Sequence, residues 1–444
     1  MTASARDDIV HRVFQAGVVG AGGAGFPTHV KFRAKAEIYL VNGAECEPLL
    51  KVDQQLAVQE AALLVRGLAL GMQTTGAREG IIALKAKYAE AIAALEPLLH
   101  PNMRIGILQD VYPSGDEVIT IWMTTGRRVP PGGIPLDIGV VVSNVQTLIN
   151  VARAVDGEIP VTHRTLTVAG AVRQPVTVTL PIGTSMREAV ALAGGPSIEE
   201  SQTAYIDGGP MMGRLLESLD IPITKTTGGI IALPADHLLI RRRRSDMRSI
   251  LNMARTVCEQ CLLCTELCPR HLIGHELPPH LIVRSVNYNH VAQPSVLLSA
   301  LTCSECAICE AYACPVEISP MRINQELKAK FRAEGARYQG ALRSADPMIE
   351  GRLIPISRLL ARIGVAQYNH KAPLAPHHYV PKRVAIKLRQ HIGAPAAASV
   401  ATGDTVQCGQ CIGTPPADAL GAPVHASIDG TVTSVTGDAI VIER

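Results

Sequence analysis

The chain has 444 residues, 47% of them hydrophobic, 18% charged and only 3% aromatic, with a formal net charge of +3. That length exceeds what one core supports and implies two to four domains. The near-balanced charge gives no footprint for nucleic acid, and no run of 18 apolar residues is present to span a membrane.

The first residues carry Arg6, Asp7, Asp8, His11 and Arg12 and lack the apolar core of a secretory signal. Residues 5–16 read as a short amphipathic helix with Ile9, Val10, Val13 and Phe14 on one side. It either packs on the domain that follows or serves as a docking peptide for encapsulation or a partner. Next come Gly17, Gly20, Gly22, Gly23 and Gly25, then Phe26-Pro27-Thr28 and Lys31. Five glycines in nine residues cannot be the interior of a helix or strand. Such a loop lets backbone amides approach a phosphate, and a nearby lysine adds charge.

Ile38–Val41 reads as a strand that ends in Asn42-Gly-Ala-Glu45-Cys46-Glu47-Pro48, the kind of strand end where α/β sheets place ligands. Residues 54–71 and 85–99 have helical periodicity, and Met103–Leu108 reads as a strand. Tyr112 to Glu117 forms a polar turn into a helix. A strand at Val140–Ser143 leads into a helix opened by Asn144-Val-Gln-Thr147. The alternation predicts an α/β domain over about 1–160. Residues 161–240 change character. Strands at Thr165–Gly170 and Val176–Leu180 alternate apolar and polar, and a helix over Met186–Ala193 ends at two glycines. The run Arg241–Arg244 reads as a solvated linker, with docking of an acidic partner as the minority reading.

Residues 241–335 hold eight of the eleven cysteines. Cys258, Cys261, Cys264 and Cys268-Pro269 form a C-x2-C-x2-C-x3-C-P run. Cys303, Cys306, Cys309 and Cys314-Pro315 repeat it with one extra residue before the last cysteine. This is the pattern that holds [4Fe–4S] clusters. Three thiolates of one turn cap three irons, and in two-cluster proteins the remote cysteine serves the other cluster. The expected sets are Cys258, Cys261, Cys264 and Cys314 for one cluster, and Cys303, Cys306, Cys309 and Cys268 for the other. Zinc favours separated pairs, and disulfides need an oxidising compartment. Helices are expected at 245–257, 279–286, 294–302 and 320–334. His271 and His275 read as polar packing residues, because eight cysteines already complete both clusters.

Residues 336–380 read as a connecting segment wrapped on the other domains, with His377-His378 an exposed pair that could weakly hold a metal. Residues 381–444, with short strands between Gly-Asp turns, read as a small β-sandwich. Cys408 and Cys411 are expected to be buried thiols, with a redox pair as the alternative.

The glycine loop through Lys31 resembles the flavin loop of the FMN- and NADH-binding subunit of respiratory complex I and, more closely, that of the Rnf complex's RnfC protein. Asn42 to Pro48, Ser114-Gly115-Asp116-Glu117 and Asn144 to Thr147 resemble that family's further motifs, in its order. The resemblance implies that Gly20, Gly22, Gly23, Gly25 and Lys31 hold the FMN phosphate. It implies that Asn42, Glu45, Gly115, Asp116, Glu117, Asn144 and Thr147 line the rest of the flavin, and that Phe26 and Glu47 meet NADH. Ala44, Asp116 and Gln146 depart from the family's usual residues. Residues 161–240 resemble its SLBB β-grasp module, in which Gly208 to Gly213 repeats Rnf wording. Residues 381–444 resemble its barrel-sandwich, moved here to the end of the chain. No lysine for biotin or lipoate is evident.

The module order, together with Pro234 to Arg244 and Cys268 to Glu276, is similar to the cobalamin reductases of propanediol-utilisation microcompartments. That resemblance implies NADH-driven reduction of cob(III)alamin through cob(II)alamin to cob(I)alamin for coenzyme B12 regeneration. It implies a bacterial cytoplasmic protein inside a microcompartment, in contact with shell or lumen proteins and a corrinoid adenosyltransferase, and able to form a homo-oligomer. Two alternatives stay open at this point. One is an RnfC-like NADH dehydrogenase with another acceptor. The other is a non-catalytic iron–sulfur adaptor.

Overall fold

The computed structural model describes residues 3–288, 293–376 and 379–444, so the His377-His378 pair lies outside the described residues. The amino-terminal half is built on four parallel strands in the order Met103–Leu108, Glu79–Lys85, Ile38–Asn42 and Val140–Asn144. Both faces are covered, so the strands read as nearly continuous apolar runs. Tyr39, Val41, Ile82 and Leu84 face helices Ala61–Thr75 and Val145–Asp156. Ile38, Leu40, Ile81 and Ala83 face helix Glu117–Thr125, together with Leu272 and Ile273 from the cysteine-rich region. Strand Glu79–Lys85 escapes the sequence reading, because a strand buried on both faces shows no alternation. The helix expected over 54–71 is two helices, Val52–Gln59 and Ala61–Thr75, that break at Glu60. The amino-terminal helix, Ala3–Gln15, puts Ile9, Val10 and Val13 into the first core. That is the packing role rather than a free docking peptide.

Strand 163–170 pairs antiparallel with Val176–Pro181 and parallel with Gly229–Pro234 in a five-stranded mixed sheet, with helix Met186–Leu192 packed in the same core. This is the β-grasp arrangement. The cysteine-rich region is helical as expected, with helices Met247–Val257, Pro279–Tyr288, Pro294–Leu298 and Pro320–Ala333. The carboxy-terminal strands form a four-stranded and a three-stranded sheet around one core, a small sandwich.

The segment before it is anchored as a wrap. Ile354–Pro355 pairs with Val111–Tyr112, and Gln55 bonds Ala372 and Leu374. Arg241–Arg244 is not a solvated linker. It ends helix Leu238–Arg244, where Arg242 is buried and Arg243 donates to the carbonyls of Pro210 and Gly213. The carbonyls let Arg243 leave water and Arg242 is buried near Glu310, while Arg241 and Arg244 stay exposed.

Helices Ala61–Thr75 and Val145–Asp156 touch through Gly67, where an added Cβ would lie 2.1 Å from the Leu148 carbonyl oxygen. Gly67→Ala is expected to destabilise the amino-terminal domain by about 1–3 kcal/mol, read as a lower urea midpoint for its transition. An unchanged midpoint would mean that the two helices slide apart at no cost.

Candidate functional site

The parallel strands run out from Ile38–Asn42 to one side, and the chain then returns with Val140–Asn144 on the other. Asn42 and Asn144 are direct neighbours at the carboxyl ends of these strands. A crevice at such a switch point is where open α/β sheets bind ligands. The glycine loop closes over it. Gly20 N–H donates to the Phe26 carbonyl, and Ala21 N–H donates to Thr147 Oγ1 at 2.8 Å, so both ends of the loop are fixed. Between them Gly22, Gly23 and Ala24 are exposed, and their amides find no acceptor among the described residues. A Cβ on Gly22 would come 3.0 Å from the Asn144 side chain, so a larger residue would have to push that side chain aside. Lys31 Nζ donates to the Val142 carbonyl at 2.8 Å and sits 5.8 Å from the Phe26 ring centre. Its pKa is lowered by desolvation, partly offset by Glu117. Free amides of an exposed glycine loop are donors that a phosphate can use. The residues therefore fit the phosphate end of FMN.

The acidic residues divide between ligand-facing and structural tasks. Asn42 Nδ2 donates to the Gly115 carbonyl at 2.8 Å and ties the strand end to the Ser114–Glu117 turn. Glu117 is exposed at that turn. Glu45, held at φ 35°, accepts from the Asp53 amide at 3.0 Å and from Gln54, so it caps helix Val52–Gln59. Glu47 accepts from the Met211 and Met212 amides at 3.0 and 2.8 Å and thereby carries the Gly208–Gly213 loop of the β-grasp sheet. Burial pushes its carboxyl up to about 6. Asp116 caps helix Glu117–Thr125 and pairs with Arg270 at 2.8 Å, just after Cys268-Pro269.

Three groups that sequence reading missed complete the site. Asn144 Nδ2 donates to Asp53 Oδ2 at 2.6 Å. Desolvation and the neighbouring Glu45 raise the Asp53 pKa, while Arg164 opposes that shift. Arg164, buried on the β-grasp sheet, donates to the Ala21 carbonyl at 2.8 Å and so holds the glycine loop from outside its own domain. Tyr112, fully buried, donates its hydroxyl to the Cys306 carbonyl at 2.8 Å.

The two cysteine turns have the same backbone. Gln260 and Leu262 in the first, and Glu305 and Ala307 in the second, all have φ between 55 and 66°. Such left-handed non-glycine residues persist where a site demands them. Cys258, Cys261 and Cys264 line one cavity together with Cys314 of the other run. Cys268 is buried near Cys306 and Cys309, and near enough to Cys264 that its charge is felt there too. The extra residue of the second run is taken up as a π-helix over Cys309–Ala313, which lets Cys314 reach across. Among the described residues no three His, Cys, Asp or Glu side chains converge on a point suited to a single ion. Thiols around a cavity fit a cubane better than a lone zinc. N–H groups point at the sulfurs, from Gln260 to Cys258 at 3.1 Å and from Ile318 to Cys314 at 3.3 Å, as they do around clusters.

Comparison with known proteins agrees with this geometry. The Nuo51 FMN-binding domain family matches residues 13–153, and the SLBB domain family matches 165–215. The 4Fe-4S dicluster domain family matches 257–319, and the RnfC barrel sandwich hybrid domain family matches 364–443. The chain is 60% identical to the cobalamin reductase PduS of Salmonella typhimurium, over 99% of this chain and 97% of that one. It belongs to the PduS family. The Citrobacter freundii member is 58% identical over 98% of this chain and 96% of its own. A component of the Na(+)-translocating ferredoxin:NAD(+) oxidoreductase complex of Acetobacterium woodii is 37% identical over 60% of this chain and 58% of its own. This PduS-family chain therefore carries an FMN-binding domain and a dicluster domain, and it is a flavin and iron–sulfur oxidoreductase.

Two smaller expectations resolve differently. His275 is buried and its Nε2 bonds the Val129 carbonyl at 2.9 Å, a packing role as expected. Cys408 is exposed and Cys411 half-buried, so they are not buried thiols. The edge of a small sandwich leaves its turns in water.

Asp53 supplies a pH test. Its carboxyl ordinarily titrates near 3.8, and the fold holds the proton to higher pH. Folded-state ionisation is disfavoured, so stability falls as pH rises from the ordinary value toward the raised one. Asp53→Asn should melt a few degrees above the parent near about pH 9, an advantage that shrinks toward about pH 5. Parallel melting curves for the two proteins across that range would contradict a disfavoured Asp53 carboxylate.

Proposed function

We propose that this chain oxidises NADH and passes the electrons through FMN and two [4Fe–4S] clusters to cobalamin. Cob(III)alamin is thereby reduced through cob(II)alamin to cob(I)alamin. One NADH yields NAD+, a proton and two electrons, which suffice for one cobalamin taken through both steps. The observation that carries the reading is near-identity of length and 60% identity with a cobalamin reductase, on a chain whose flavin crevice and cysteine cages adjoin. Bound FMN would supply the conversion between a two-electron hydride donor and one-electron carriers.

The chain's own groups do the rest. Gly20, Gly22, Gly23, Gly25 and Lys31 hold the phosphate. Asn42, Gly115, Glu117, Asn144 and Thr147 set the floor of the crevice, and Glu45 and Asp116 fix the two turns that frame it. Phe26 lies at the mouth, where a nicotinamide nucleotide would enter. Glu47 supports that mouth through the Gly208–Gly213 loop. Cys258, Cys261, Cys264 and Cys314 ligate one cluster, and Cys303, Cys306, Cys309 and Cys268 the other. The domains run over 1–160, 161–240, 241–335 and 381–444, with 336–380 as the wrap.

No helix of the described residues is long and apolar enough to cross a membrane. The relatives' place in propanediol utilisation supports residence in a microcompartment in the bacterial cytoplasm, beside shell or lumen proteins and a corrinoid adenosyltransferase that takes up cob(I)alamin.

Anaerobic protein reconstituted with iron, sulfide and FMN is expected to bleach cob(III)alamin when NADH is added. Cys261→Ala should abolish the bleaching, and so should flavin removal. Reduced flavin and clusters beside unchanged cob(III)alamin would overturn cobalamin as the acceptor. Lys31→Ala should weaken FMN binding about 10- to 100-fold, the worth of one charge-assisted phosphate contact, as read by quenching of flavin fluorescence. Unaltered affinity would move the phosphate away from Lys31.

A further inference from the structure

The two cysteine cages have equivalent backbones and opposite surroundings. Cys303, Cys306, Cys309 and Cys268 are all buried, and two of them are walled in by other domains. Cys306 and Cys309 share one apolar cluster with Leu49 and Tyr112 of the flavin domain and Met211 of the β-grasp loop. Cys46 belongs to the edge of the same cluster and abuts Gly115 of the flavin crevice.

The cage of Cys258, Cys261, Cys264 and Cys314 faces outward. Cys261 is exposed. The matched positions make the contrast plain. Ala307 and Ile308 of the inner turn are 2% and 1% exposed, whereas Leu262 and Leu263 of the outer turn are 41% and 37% exposed. Met253 and Val257 on the adjoining helix are exposed as well, and Val257 and Leu262 both line the cage opening. Large apolar residues stand in the open turn, the reverse of what solubility alone favours, and at the first of the two positions the covered turn has a small one.

Three exposed arginines stand on the two helices beside this apolar face. Arg248 and Arg255 are exposed on helix Met247–Val257. Arg255 Nε bonds the Asn287 carbonyl and so lies over the neighbouring helix Pro279–Tyr288. Arg284, exposed on that helix, is near enough to disfavour protonation of His280, which lines the cage opening. None of the three arginines has an ion-pair partner among the described residues. The opposing charges are Glu259, which lines the opening, exposed Glu317 between the lining residues Val316 and Ile318, and Asp246 near Arg248.

The geometry points to the Cys258–Cys264 turn as the exit for electrons, and to its arginine-flanked apolar face as the docking surface for a partner protein with an acidic face around its own redox centre. This rests on the flavin and iron–sulfur reading above. Electron transfer falls steeply with distance, so the cage in contact with the flavin domain receives first and the cage at the surface gives last. Each encounter moves one electron from the outer cluster to the partner, and NADH oxidation replaces it. No bond is made and no proton moves at the exit. Such encounters are brief, use small interfaces and are steered by charge.

The test uses reconstituted holoprotein, NADH and two probes, acidic cytochrome b5 and basic cytochrome c. At low salt cytochrome b5 should be reduced at least about tenfold faster, with a rate that falls steeply as salt is added. The triple variant Arg248→Glu, Arg255→Glu, Arg284→Glu should lose about tenfold or more of the cytochrome b5 rate. Flavin bleaching by NADH and the EPR signals of both reduced clusters should stay at parental levels. Leu262→Ser should raise the KM for cytochrome b5 several-fold. An unaltered cytochrome b5 rate in the triple variant, or preference for cytochrome c, would overturn the docking surface. Free cob(III)alamin reduced at the parental rate by a triple variant that also keeps its cytochrome b5 rate would assign exit directly to a small molecule, against the proposal. For the order, Cys306→Ser should let NADH bleach the flavin while the outer cluster stays oxidised. Rapid reduction of the outer cluster in that variant would reverse the order. Absence of flavin bleaching in the parent protein would instead be a failure of the underlying reading.

Discussion

The carboxylate of Asp116 holds the two halves of this protein in working contact. One oxygen takes the first free amides of helix Glu117–Thr125, and the other takes the guanidinium of Arg270, two residues beyond Cys268. Both side chains are nearly buried, at 10% and 13% exposed. A buried pair contributes little when intact, because desolvation offsets the attraction, but losing one partner strands the other charge. The flavin turn therefore cannot drift from the inner cysteine cage without leaving Arg270 unpaired. Tyr112 repeats the restraint nearby through the Cys306 carbonyl.

A second layer of restraint comes from the β-grasp sheet. Arg164 holds the glycine loop by the Ala21 carbonyl, and the Gly208–Gly213 loop sits between Glu47 on one side and Arg243 on the other. Gly209 leaves no space for a Cβ against Glu47, where one would lie 2.1 Å from Oε2. The module works as a bracket between flavin and clusters. That gives the Gly-Pro-Met-Met-Gly wording a physical meaning: tight turns, free amides for a carboxylate, and Met211 as filling beside the inner cage.

The cysteine turns illustrate how a repeat keeps its geometry while its surroundings diverge. The same left-handed positions recur in both, and one inserted residue is absorbed as a π-turn instead of displacing Cys314. In the proposed assignment each cage draws a cysteine from the other run, so neither turn would be complete alone and cluster assembly would be coupled to folding of this region.

Much of this was legible in the sequence. The cysteine runs, the glycine loop, the asparagine-tipped strands and the order of modules are local patterns, fixed by spacing along the chain, and spacing alone limits which ligand geometry they can reach. What only the tertiary structure decided was the use of each charge and the exposure of each turn. Glu45, Glu47 and Asp116 looked like ligand-facing carboxylates, yet each has backbone or arginine partners supplied from other segments. Arg242 and Arg243 looked solvated and are tucked in, while Cys408 looked buried and is exposed. Two turns with the same cysteine spacing became an inner and an outer cage. Burial and pairing depend on residues far apart in sequence, which no local pattern encodes, and that dependence is why the roles of these charges and turns had to await the fold.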